Sequence, residues 1–124
     1  MQLNLERPDH EFFLRGADGA SALVNDRHLQ ASFVLAPDRL IEGWRAHEAK
    51  ALAPEDMEPL LALEPEVILL GTGATQVFPP AATLAACLRR NVGVEVMTNA
   101  AAARTFNVLA GEGRRVVAGF LLNT

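Results

Sequence analysis

The 124-residue chain carries 11 basic and 15 acidic side chains, and a net charge of −4 repels a phosphate backbone, so nucleic acid is not expected as a partner. Half of the residues are hydrophobic and 21% are charged, which is globular composition and excludes an intrinsically disordered chain. One cysteine, Cys87, rules out an intramolecular disulfide. No apolar run nears the ~20 residues of a membrane span, and the polar stretch 1–10 lacks the apolar core of a signal peptide. The expected location is the cytoplasm.

Residues 12–45 read as short strands separated by turns. Phe12-Phe13-Leu14-Arg15 runs into Gly16-Ala17-Asp18-Gly19, a turn rich in residues that tolerate positive φ. Ala22-Leu23-Val24 follows, and Asn25-Asp26 turns the chain again. Residues 28–35 alternate, with Leu29, Ala31, Phe33 and Leu35 on one face and Val34 as the exception, which predicts one half-buried strand of an antiparallel meander. Pro37-Asp38 breaks it, and 40–44 is the next predicted strand.

From Pro54 the rhythm becomes helical, then βαβ-like. Pro54-Glu55-Asp56 is a helix start, and Pro59 limits that helix to two short turns ending near Leu63. Val67-Ile68-Leu69-Leu70 is a continuous apolar run, the pattern of a strand covered on both faces. A helix is predicted over 80–90 and a strand over 92–97. A second helix, capped by Thr98 or Asn99, spans 100–110 before Gly111 and Gly113 stop it. A last strand covers 115–122. The expected architecture is one α/β domain over 1–124 with a mixed sheet.

Gly71-Thr72-Gly73 follows the buried strand, the position at which open α/β sheets carry ligands. A dinucleotide fingerprint would need a third glycine and free helix N–H groups, but position 76 is Gln and the next helix opens on Pro79-Pro80. A strand-to-helix turn, with room for a small polar ligand, fits better. Arg104 and Asn107 are three apart on a helix whose core stripe is Ala102, Phe106, Leu109 and Ala110. An arginine beside an amide suits carboxylate or phosphate recognition. Equally, Arg104 could pair with an acid such as Glu95 while Asn107 bonds a loop. Glu95 reads as a solvated or ion-paired acid within its strand, and Cys87 as a core thiol. His10, His28 and His47 show no paired ligand spacing, and neither a metal nor a cofactor is expected. No serine elbow or Walker loop assigns an enzyme class.

Leu69-Leu70-Gly71-Thr72-Gly73, Phe78-Pro79-Pro80, Gly93-Val94-Glu95-Val96-Met97, the run from Ala102-Ala103-Arg104 through Thr105-Phe106-Asn107, and Glu112-Gly113-Arg114-Arg115 occur in an order that resembles the Mth-type domain family of unknown function. The resemblance covers nearly the whole chain. It implies a three-layer α/β fold whose central mixed sheet has its last strand antiparallel to the others. Many members carry Cys before the arginine and Tyr two residues after it, whereas this chain has Ala103 and Phe106, so a reactive thiol or phenol there is ruled out. One branch of the family is a mitochondrial assembly factor for respiratory complex I. The resemblance thus implies a protein-interaction or assembly-helper module, either a monomer or a weak homo-oligomer. The alternative from the residues is a binder of, or enzyme acting on, a small anionic ligand held by Gly71, Thr72, Gly73, Arg104, Thr105 and Asn107.

Overall fold

In the computed structural model, which describes residues 11–122, two sheets and three helices are arranged in three layers. The polar stretch 1–10 and the last two residues lie outside the described part. The chain begins with β1 (Leu14–Ala17), β2 (Ala22–Val24) and β3 (Arg27–Leu29), an antiparallel meander forming its own small sheet. A five-stranded sheet contains β4 (Phe33–Ala36), β5 (Arg39–Glu42), β6 (Val67–Gly71), β7 (Gly93–Met97) and β8 (Val116–Phe120), in the order β5-β4-β8-β6-β7. Between β5 and β6 the chain makes two 3₁₀ turns and the one-turn helix α1 (Glu58–Leu61). Helix α2 (Ala81–Leu88) joins β6 to β7, and α3 (Asn99–Gly111) joins β7 to β8.

The central strands are apolar throughout because each of their faces meets a different core. Phe33 and Leu35 of β4, Leu69 of β6, and Val116, Ala118 and Phe120 of β8 face the small sheet and α3. The Phe33 and Phe120 rings stack there at 4.9 Å. Their alternates Val34, Ala36, Ile68, Leu70 and Val117 pack under Trp44, Leu52, Met57, Leu60 and Cys87 on the other side. Gly119 is part of this second core, since a Cβ there would lie 2.7 Å from the Trp44 ring. The indole in turn donates to the carbonyl of Asp56 at 2.8 Å.

Two expectations are corrected. Residues 28–35 are two strands in different sheets, β3 and β4, separated at Gln30-Ala31-Ser32. Ser32 is buried at that break, where its hydroxyl accepts from the Leu122 N–H and its carbonyl accepts from Trp44. Val34 was an exception only to a one-sided strand; β4 is buried on both faces. The last strand, β8, is antiparallel to β4 but parallel to β6. The helical crossover through α3 returns the chain in the direction of β6, as βαβ connections do. The predicted strand at 40–44 is β5, which ends at Glu42.

Candidate functional site

At the carboxyl end of β6 the chain turns sharply and is tied to three neighbours. The Thr72 N–H donates to the Met97 carbonyl at the end of β7, and the Gly71 carbonyl accepts from Leu121 just past β8. The Gly73 carbonyl accepts from the Asn99 N–H at the start of α3. Gly73 has φ +104, a conformation that favours glycine. Gly71 is required for a different reason: a Cβ on it would lie 2.3 Å from Oδ1 of Asn99.

Asn99 is fully buried and is the hub of this region. Its Nδ2 donates to the carbonyls of Asp18 at 2.8 Å and Leu121 at 2.9 Å, which fixes the orientation of the amide. Its Oδ1 has no conventional donor. The missing Cβ of Gly71 would point straight at Oδ1, so the oxygen faces the Cα hydrogen of that residue in a space that only glycine leaves free. The β1–β2 loop is thereby fastened over the turn, and Gly19 sits close enough that a Cβ would reach the Ala74 backbone at 3.1 Å. The loop is itself preorganised, with the Asp18 carboxylate accepting from the N–H groups of Ala20 and Ser21. These bonds hold that carboxyl below its ordinary range.

The residues predicted to share one site fall in two places. Gly71 and Gly73 are buried, and Thr72 lines a cleft of about 320 Å³ with Thr75, Val77, His47 and Lys50. The Thr72 hydroxyl already serves the loop, donating to the Thr75 carbonyl and accepting from Val77. Arg104 and Asn107 line a separate cleft of about 240 Å³ beside β1. Asn107 is a strut, with Oδ1 accepting from the Leu14 N–H at 2.8 Å and Nδ2 donating to the Leu14 carbonyl at 2.7 Å. Arg104 is exposed and makes no ion pair among the described residues, with Glu95 or any other acid. Thr105 is half-buried on α3. Cys87 is wholly buried, and burial pushes its thiol up, away from the thiolate. Among the described residues no group of three or more His, Cys, Asp or Glu is placed to hold a metal ion.

A second feature lies along the sheet edge. β7 is the outermost strand, and Met97 turns its carbonyl toward β6, so the alternate residues Val94 and Val96 turn their N–H and C=O groups outward. The Val96 carbonyl is covered, accepting from the side-chain amide Nε2 of Gln76 at 2.8 Å. Beside this edge, α2 reads Ala-Ala-Thr-Leu-Ala-Ala-Cys-Leu and contains no charged residue. Only Thr83 and Cys87 of α2 are buried, so the outer side of the helix is apolar as well. Phe78, just before α2, is 61% exposed and Leu88 at its end is 66% exposed. This flank was not found from the sequence; the signal was the uncharged run 77–88, read only as part of a helix over 80–90 with Cys87 as a core thiol.

Residues 15–121 match the model of a family described as protein of unknown function (DUF498/DUF598), and the chain belongs to that family. The Mth-type resemblance holds: the chain is similar to a Bordetella pertussis protein solved by NMR and described as a Mth938-like domain, at 27% identity and TM-score 0.78, covering 100% of this chain and 95% of the other. A Xanthomonas campestris protein, also solved by NMR, is 55% identical with TM-score 0.83 over 98% of this chain and 92% of its own. A Francisella tularensis protein named 13 kDa major membrane protein is 30% identical over 94% of this chain and 95% of its own length. Among the described residues of this chain no helix is long and apolar enough to cross a membrane.

Proposed function

We propose that the protein is a protein-interaction module of the assembly-helper kind, and that it engages a partner through the flank formed by β7 and α2. The observation that carries this reading is the coincidence of an open strand edge with an uncharged helix face that keeps Phe78 and Leu88 in solvent. Exposed apolar patches next to unpaired backbone are the features by which extended segments add to a sheet. The partner lays a strand along the outward N–H and C=O groups of Val94 and the N–H of Val96. Its apolar side chains cover Phe78 and the outer side of α2. Gln76 occupies the remaining edge carbonyl and so limits uncontrolled strand addition.

The protein would act in the cytoplasm, as a monomer or weak homo-oligomer that pairs with an unassembled subunit. The name of the Francisella relative supports a partner at or near a membrane, reached without a spanning helix of this chain's own. Capture from native extract tests the proposal when variants accompany the wild type. Leu88→Glu puts a charge on the patch, and Val94→Pro removes an outward N–H without touching the ladder to β6. Both should lose a partner that the wild type and Val108→Glu, on the opposite layer, retain. Retention by all four proteins would reject this surface. Fractionation of cells checks the location.

A further inference from the structure

The cleft beside β1 carries a second, independent inference. Its walls are the β1 segment Arg15-Gly16-Ala17 and the α3 residues Ala100, Ala103 and Arg104. The two arginines are the charged groups of its lining, and they form a local positive site on a chain of net charge −4. The pairing of β1 with β2 slips between Leu14 and Gly16, a bulge that sits at Arg15. Bulges of this kind re-aim a side chain. The Asn107 amide grips both backbone groups of Leu14, so the bulged strand is held in register against α3 and the two guanidinium-bearing positions are fixed relative to one another. Small side chains leave the floor open, and a Cβ at Gly16 would meet nothing within 4 Å.

Among the described residues Arg104 has no ion pair, and Arg15 pairs with Asp26 alone, at 3.5 Å, where the aspartate side chain is 99% exposed. An exposed pair of that length is easily displaced. Two forked cations around a cleft of about 240 Å³ match the oxygens of a tetrahedral oxyanion, which guanidinium groups bind with parallel hydrogen bonds. We infer that this cleft binds the phosphate group of a small phosphomonoester, with Arg15 and Arg104 as its ligands and Asn107 as the residue that positions the strand.

Phenyl phosphate titrated into the isotopically labelled protein tests the inference, read at the Nε–Hε resonances of Arg15 and Arg104. Saturable shifts of both are expected, with benzoate and benzyl alcohol binding more weakly. Arg104→Ala and Arg15→Ala should each weaken binding by at least about tenfold, with Arg104→Lys in between because it keeps charge and loses the fork. Amide spectra unchanged away from the cleft establish that the variants are folded. The inference is overturned if the shifts do not saturate, keep wild-type affinity in Arg104→Ala, appear equally at the exposed Arg89, or are matched by benzoate.

Discussion

Asn99 and Gly71 illustrate how one buried side chain dictates the residue types around it. The amide holds two carbonyls from distant loops, and its oxygen occupies the space a Cβ of residue 71 would need. Asn99→Ala leaves both carbonyls without that donor and should cost about 2–4 kcal/mol. Gly71→Ala forces the amide and the Phe120 ring apart and should cost about 1–3 kcal/mol. The two losses are not additive. With the amide gone, the new methyl gains room, so Gly71→Ala should cost less in the Asn99→Ala background, by about 1 kcal/mol. Urea denaturation of the four proteins of this cycle measures the coupling, and strict additivity would refute the contact. The sequence showed Gly71 as a sharp turn and Asn99 as an alternative cap to Thr98. Thr98 is the cap, its hydroxyl accepting from Ala101, which frees the Asn99 side chain for the long-range bonds that no local pattern encodes.

At the scale of elements, β7 combines a paired side and an open side in one strand. Val94 directs its N–H outward and Glu95 directs its own toward β6. Val94→Pro should therefore cost under about 2 kcal/mol, while Glu95→Pro should cost about 3 kcal/mol or more because it deletes a ladder bond and drives the ring against β6. Thermal unfolding of the two variants checks the order, and a reversal would mean that the strand's pairing side is misassigned. Strands and helices from 67 onward were legible because apolar runs, glycine stops and the Thr98 cap act locally. The break within 28–35 was not legible, since alternation of apolar residues looks the same whether one sheet or two receives them. For the same reason Val34 looked misplaced until both cores were seen. Arg104 and Asn107 were correctly read as neighbours on one helix, but only tertiary structure reveals that Asn107 grips Leu14 and that Arg15 is the other arginine of the cleft.

For the molecule as a whole, the three layers separate the two surfaces of interest. The side of the central sheet that carries α3 and the small sheet contains the arginine cleft and the exposed Val108. The opposite side contains α2, with Cys87 directed into the second core and Phe78 and Leu88 left outside. Apolar exposure on the α2 side contributes nothing to this core, and covering it by a partner would remove that surface from water. The role proposed for the protein is this covering. It is tested most directly by placing a photo-crosslinking amino acid at 78, 88 or 108 in cells and resolving the adducts. A discrete adduct of the same mass is expected from positions 78 and 88, and none from 108. Adducts from 108 alone, equal labelling at all three positions, or no adduct at 78 and 88 would contradict it.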